Sequence, residues 1–154
     1  ADPFEERDNG EPVSSLRGMP SKLVGTSVEG AEVPAMIDEF PVLAIMAARA
    51  EGVTRITGAA ELRLKESDRI RALAENLRAV GVRAEELSDG LEIEGGDHPL
   101  AGRVSSHHDH RIAMSHLILG LASDQHVSVD EPGMIATSFP GFVEMMNGLG
   151  GRIA

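Results

Sequence analysis

Apolar and polar positions divide this chain into alternating extended and helical stretches. Ser21 to Val28 alternates weakly and reads as a strand, and Gly30 to Pro34 reads as a turn. Val42 to Ala50 is apolar nearly all round, which predicts a buried helix. Pro41 suits its first turn, Asp38 or Glu39 suits its cap, and Gly52 ends it. Val53 to Gly58 reads as a strand. A second helix is expected from Ser67 to Val80, with Ile70, Leu73, Leu77 and Val80 on one face and Gly81 as its stop. Strands over 82–86 and 91–94 flank Ser88-Asp89-Gly90, a hairpin signal. The spacing then predicts a buried helix over 111–122 and a short strand over 126–129. A fourth helix is expected to be capped by Ser138, with Pro140 in its first turn and Phe139, Phe142, Val143, Met146 and Leu149 on its face. Gly150 to Ala154 is expected to be a final strand. Residues 1–20, polar and rich in Asp, Glu, Gly, Ser and Pro, read as a loose arm with one short extended piece.

The pattern repeats. Asp38 and Asp109 lie 71 positions apart, as do Ser67 and Ser138. At an offset of 69, Ile70, Leu73, Ala74, Leu77 and Val80 fall on Phe139, Phe142, Val143, Met146 and Leu149, and Gly81-x-Arg83 falls on Gly150-x-Arg152. That period exceeds those of solenoids, so it predicts two copies of one supersecondary unit sharing a core. The expected class is α/β (α+β), with buried helices inside and sheets outside. The expected domain spans 21–154, with units over about 21–94 and 103–154.

Composition narrows the function. The chain has 154 residues, the size of one domain, and its 42% apolar content suffices for a core. A net charge of -11 argues against a general nucleic-acid binder, though a few local cations can still hold a small anion. Cys is absent, which excludes disulfides, Cys-type zinc sites and thiol nucleophiles, and fits a cytoplasmic setting. No apolar run reaches the roughly 18 residues of a membrane span. The first residues, Ala1-Asp2-Pro3-Phe4-Glu5, have no signal-peptide pattern and no Met, which reads as a trimmed chain or a piece of a longer one. Trp and Tyr are absent, leaving almost no platform for stacking bases or sugars.

Three clusters can carry chemistry. Arg63-Leu64-Lys65-Glu66-Ser67-Asp68-Arg69 leads into a helix N-terminus, where backbone N–H groups attract anions and Lys65 or Arg69 can add a contact. Glu66 among those cations suits a proton donor or acceptor. The same string also fits a solvated cap with internal ion pairs. His107-His108-Asp109-His110-Arg111 precedes another helix. It can be read as a metal site with poor ligand spacing, as an anion site using His110 and Arg111, or as a loop with an Asp cap. Asp38 is either a helix cap or a general base, and its repeat partner Asp109 favours the structural role for at least one of the two. The signatures of nucleotide hydrolysis, dinucleotide redox, zinc proteolysis and α/β-hydrolase chemistry are all missing.

Met36-Ile37-Asp38-Glu39-Phe40-Pro41, Leu62-Arg63-Leu64-Lys65-Glu66-Ser67-Asp68-Arg69 and Asp109-His110-Arg111-Ile112-Ala113-Met114 together resemble the carboxy-terminal part of the 5-enolpyruvylshikimate-3-phosphate synthases. Met134-Ile135-Ala136-Thr137-Ser138-Phe139-Pro140 resembles their glyphosate-tolerant bacterial class. The resemblance implies βαβαββ units with helices inside and sheets outside, as in the enolpyruvyl transferase inverse barrel. It implies transfer of the enolpyruvyl group of phosphoenolpyruvate to shikimate 3-phosphate, with release of phosphate and no metal or other cofactor. By the same resemblance Asp38 contacts the shikimate hydroxyls and is a candidate base, Lys65 contacts substrate, and Glu66 is a candidate proton donor to the methylene carbon. Arg69 and Arg111 hold phosphoenolpyruvate beside His110, and glyphosate is expected to compete there. Other classes carry a Lys where this chain has Ala136-Thr137-Ser138, which puts a phosphate contact there in doubt. The missing amino-terminal part would complete the site, so the isolated chain is expected to lack useful turnover. The sister UDP-N-acetylglucosamine enolpyruvyl transferases lack the Lys-Glu-Ser-Asp-Arg string. A non-catalytic binding or assembly module of the same fold is the alternative reading.

Overall fold

The fold follows from two strand–helix–strand crossovers whose helices carry the apolar residues. In the computed structural model the described residues are 17–30, 32–123 and 125–154, together with the paired strands β1 (Glu5–Glu6) and β2 (Pro12–Val13). Most of the arm expected over 1–20 lies outside the described residues.

The first crossover runs from β3 (Ser27–Val28) through the short helix α1 (Glu32–Ala35) and helix α2 (Phe40–Arg49) to β4 (Gly52–Ile56), parallel to β3. A 3-10 helix (Ala60–Leu64) and helix α3 (Arg69–Ala79) follow. The hairpin β5 (Arg83–Leu87) and β6 (Gly90–Gly95) then completes a sheet of order β3-β4-β6-β5. The second crossover runs from β7 (Gly102–Val104) through α4 (His110–Leu121) to the parallel strand β8 (Val127–Val129). A 3-10 helix (Pro132–Thr137) and α5 (Phe142–Gly148) end the order. Strand, helix, parallel strand, 3-10 helix and helix thus occur twice. Helices α2, α3 and α4 pack on one another, and each also rests on a strand, α2 on β6, α3 on β5 and α4 on β8. The sheets do not close into a barrel among the described residues.

The Gly-x-Arg echo has a physical cause. Gly81 and Gly150 both adopt left-handed φ, 96° and 98°, one residue past a helix cap. Val82 N–H donates to the Leu77 carbonyl and Gly81 N–H to that of Arg78, while Gly151 and Gly150 donate to Met146 and Asn147. Both helices therefore end in the same Schellman turn, which favours glycine at that position.

The predicted face of α3 is buried throughout: Ile70, Leu73, Leu77 and Val80 are at most 1% exposed. Other expectations need correction. Helix α2 is not buried all round, since Val42 and Met46 are 38% and 47% exposed. In α4, Met114, Leu117 and Ile118 are only half-buried. The 21–28 strand shrinks to a bridge at Val24 and the pair Ser27–Val28, and the 30–34 turn contains the start of α1. Ser138 does not cap the last helix. It follows the 3-10 turn, its N–H donates to Ile135, and Gly141 precedes α5. On that helix only Phe142 and Met146 join the core cluster with Ala113 and Ile135, while Leu149 is 76% exposed. Residues 151–154 form no strand. Asn147 instead holds Ile153 through its side-chain amide, bonding the Ile153 carbonyl and N–H at 2.8 Å each.

Candidate active site

Three chain segments meet where α2, α3 and α4 begin, and each supplies residues from one of the sequence clusters. The segment before α2 brings Asp38, the loop from the first 3-10 helix to α3 brings Lys65, Glu66, Ser67 and Arg69, and the start of α4 brings Asp109, His110 and Arg111.

Arg69 is the hub. It is the first residue of α3, its side chain is 0% exposed, and its guanidinium engages three carboxylates. Nε donates to Asp109 at 2.8 Å, Nη1 to Asp38 at 3.2 Å and Nη2 to Glu66 at 2.7 Å. Burial pushes the guanidinium toward deprotonation, and the surrounding carboxylates, Asp109 foremost, outweigh that and hold it charged. The resemblance makes Arg69 a ligand for phosphoenolpyruvate, yet in this conformation it faces carboxylates and not solvent.

Asp109 is as buried as Arg69. Its Oδ1 accepts from the N–H groups of Arg111 and Ile112 at 2.9 and 3.4 Å, capping α4 as its position suggests. Its Oδ2 accepts from Arg69 and from the Ser67 hydroxyl. Its repeat partner differs. Helix α2 begins after Glu39 with no side-chain cap, and the Asp38 carboxylate turns instead toward cations. Lys65 Nζ lies 3.7 Å from it, Arg69 Nη1 3.2 Å and Arg111 Nη2 3.5 Å. Arg111 Nη1 also donates to the Asp38 carbonyl at 2.9 Å. Desolvation pushes the Asp38 carboxyl up, but Arg111, Arg69 and Lys65 together hold it below the ordinary carboxylate value. One repeat position thus serves as a buried cap, and the other is a half-exposed carboxylate facing three cations.

Lys65 pairs with Glu61 at 3.1 Å, one turn earlier in the chain. Glu66 is 47% exposed and Arg111 37% exposed, so both can be reached from solvent. His110 opens α4 half-buried beside Arg111. The loop carrying Lys65 and Glu66 is tied down by Arg63, which donates to Asp68, Glu86 and the carbonyls of Leu87 and Ser88. Asp68 in turn caps α3 by accepting from Arg71 N–H. Among the described residues no three His, Asp or Glu side chains converge as a metal would need. Asp109 points inward to Arg69, and His108 points out to Glu131. An open depression of about 400 Å³ beside Val53, Val82 and Glu92 lies on the hairpin side and contains none of these groups.

Asp38, Lys65, Glu66, Arg69 and Arg111 therefore gather at one corner, and His110 adjoins Arg111 in the chain. Sequence reasoning missed the buried pairing of Asp109 with Arg69 and the contribution of Ser67. Both lie inside the strings already singled out, but nothing in the spacing shows which way their side chains turn. The Thr137 hydroxyl closes on the Met134 carbonyl at 2.6 Å within its own 3-10 turn.

Comparison with known proteins identifies the family. Residues 8–146 match the family described as EPSP synthase (3-phosphoshikimate 1-carboxyvinyltransferase). A 3-phosphoshikimate 1-carboxyvinyltransferase of Parvibaculum lavamentivorans is 53% identical over 148 residues, covering 95% of this chain and 33% of the relative. Its counterpart in Phenylobacterium zucineum is 51% identical with the same coverage. The EPSP synthase structure from Acinetobacter baumannii superposes with a TM-score of 0.78 at 46% identity, over 82% of this chain and 30% of that one. The enolpyruvyl transferase NikO of Streptomyces tendae, at 23% identity and a TM-score of 0.58, shares the fold alone. The chain spans about a third of the length of these relatives. With its matched residues running through all three converging segments, the chain belongs to the EPSP synthase (3-phosphoshikimate 1-carboxyvinyltransferase) family.

Proposed function

We propose that this chain is the carboxy-terminal part of an enzyme that transfers the enolpyruvyl group of phosphoenolpyruvate to the 5-hydroxyl of shikimate 3-phosphate. The observation that carries the reading is the ring of Lys65, Arg69 and Arg111 around the Asp38 carboxylate. In the addition step a base removes the 5-hydroxyl proton, the oxygen bonds to C2 of phosphoenolpyruvate, and an acid protonates the methylene carbon. In the elimination step that carbon loses a proton and phosphate leaves. In this reading Asp38 contacts the shikimate hydroxyls and serves as base, and Glu66 delivers the methylene proton. Lys65 and Arg111, the latter with His110 next to it in the chain, are the cations that can face the anionic substrates. Arg69 orders the carboxylates and adds charge from beneath. No cofactor is required.

An acidic chain can bind multiply charged anions because its few cations converge at helix starts, where the helix dipoles assist. The partner is the missing amino-terminal part of the same enzyme, which would supply further substrate contacts. By itself this chain is expected to have no useful turnover. The Met134–Pro140 string is the basis for placing it in the glyphosate-tolerant class, and soluble phosphorylated substrates suit a cytoplasmic enzyme.

The test is a chimera in which this chain replaces the matching third of the Parvibaculum lavamentivorans relative. Phosphate release from phosphoenolpyruvate plus shikimate 3-phosphate is expected from the chimera, not from this chain alone, and is expected to be lost with Glu66→Gln or Arg111→Met. A folded but inactive chimera beside an active uncut relative would overturn the proposal.

A further inference from the structure

Beyond the residues that face substrate, α3 holds a polar group no role has yet claimed. Asn76 is 3% exposed on a helix whose neighbouring inward positions are Leu73, Leu77 and Val80. A leucine there would raise helix propensity and bury more apolar surface. Asn76 instead spends both ends of its amide on one residue. Nδ2 donates to the Ser105 carbonyl at 2.7 Å, and Oδ1 accepts from Ser105 N–H at 3.0 Å. This is how a neighbouring strand would engage that residue, just past the end of β7.

The loop that begins at Ser105 is backbone-strained. His107 and His108 are consecutive non-glycine residues in the left-handed region, at φ 49° and 56°. Such a conformation persists only where its surroundings over-determine it. Ser106 N–H donates to Asp130 Oδ1 at 2.6 Å, and Asp109 N–H donates to the Ser106 carbonyl at 2.9 Å. At the far end Asp109 is held by Arg69. Arg69 and Asn76 are seven residues apart, two helical turns, and so lie on the same face of α3.

We propose that Asn76 is a positioning residue: with Arg69 it lets α3 grip the 105–109 loop at both ends, fixing where α4 presents Arg111 to Asp38. The link to substrate rests on the function proposed above. The grip itself does not.

Amide hydrogen exchange on the 15N-labelled chain tests the grip. Asn76→Leu is expected to lower protection at Ser105, Ser106 and Asp109 by about tenfold or more relative to the α3 amides, the scale of one net hydrogen bond. Leu77→Ala, one position on, is expected to lower all amides together without singling out the loop. Asn76→Asp separates the role from packing. Its ionised carboxylate opposes the Ser105 carbonyl, while the protonated form can again donate and accept. Ser105 protection, corrected for intrinsic exchange, is therefore expected to recover at low pH in that variant alone. Ser105 protection in Asn76→Leu within about twofold of wild type, well short of one hydrogen bond, overturns the grip. In an active chimera, Asn76→Leu is expected to raise KM for phosphoenolpyruvate more than it lowers kcat, and an unchanged KM overturns the positioning role. A wild-type chimera that is folded and inactive overturns the function alone, since the exchange result stands without it.

Discussion

Replacing Arg69 with methionine tests whether the buried ion pair organises the site. Methionine keeps most of the aliphatic stem, so the volume lost is small. What changes is Asp109, which keeps the Ser67 hydroxyl and two backbone N–H groups but loses its one cation at 0% exposure. Breaking one side of a buried pair costs about 3–5 kcal/mol because the remaining charge stays buried. The outer two carboxylates, Asp38 and Glu66, are nearly half exposed and contribute little to this loss. Arg69→Met should therefore remove much of the stability of a domain whose total is about 5–15 kcal/mol. Asp109→Asn leaves a side chain that still caps α4, so in the Arg69→Met background it should restore part of the loss. Urea unfolding of the wild type, both single variants and the double variant, followed by circular dichroism, gives the coupling directly. A coupling energy of about 2 kcal/mol or more with unchanged m is expected. A single-variant loss below about 1 kcal/mol, typical of a surface pair, would refute the reasoning.

Three further outcomes are expected. His116 is fully buried, Nδ1–H donates to the Ile112 carbonyl at 2.8 Å, and Nε2 has no partner among the described residues. Burial, aided by His107, pushes its pKa down to about 4, so the native state disfavours the charged form. Stability from this group is complete above pH 6.5, is lost as pH falls from there, and is gone below about 4; the total is about 3 kcal/mol. Unfolding free energies measured between pH 7 and 4 should show this slope and His116→Leu should flatten it; equal slopes would exclude His116 as the source. Gly95→Ala should cost about 1–3 kcal/mol, because a Cβ there meets the Ala47 and Ala50 carbonyls, while Gly133→Ala, with open space around it, should shift Tm little. Asp38→Asn should raise the affinity of the isolated chain for inorganic phosphate by up to about fivefold, the scale of an exposed pair, while abolishing turnover in the chimera. Calorimetric titration showing weaker phosphate binding would contradict that view of the three cations.

Helix α3 and the β5–β6 hairpin were the most legible elements because their own residues decide them. A one-sided apolar face and Gly81 after it define the helix, although its cap is Asp68 and it starts at Arg69, two residues after the expected Ser67, and Ser88-Asp89 supplies a two-residue turn closing on Leu87 and Gly90. Elements that depend on neighbours were less legible. Strand β7 has three residues, too few to show a period, and exists through pairing with β8. A strand over 150–154 needs a partner, and Asn147 satisfies that backbone instead. Ser138 and Pro140 carry the chemistry of a helix start, but the preceding 3-10 turn uses the Ser138 N–H and delays α5 to Phe142. At the site, Asp38, Lys65, Glu66, Arg69, His110 and Arg111 were legible as strings at helix starts. Which carboxylates turn inward was not, because the 71-residue offset pairs Asp38 with Asp109, whereas Asp109 is the residue that caps α4 and Asp38 lies one residue before Glu39, the residue that precedes α2.

That difference bears on how an acidic chain can run the proposed chemistry. Each of these three cations is engaged by a carboxylate, Lys65 by Glu61 and Asp38, Arg111 by Asp38, and Arg69 by three. Arg69 is sealed in, so an incoming phosphate or carboxylate must compete with Asp38 for Lys65 and Arg111. Winning that competition weakens the fields that hold the Asp38 carboxyl low, and adds a nearby negative charge. Both effects raise its proton affinity. Asp38 would then be a weak base while it holds these cations and a stronger one once an anion has taken them, with Arg69 keeping it in place throughout. On this account an Asp38 that titrates at the same pH with and without bound phosphate, followed by carboxyl-carbon NMR, rules out any exchange of its cations with the anion.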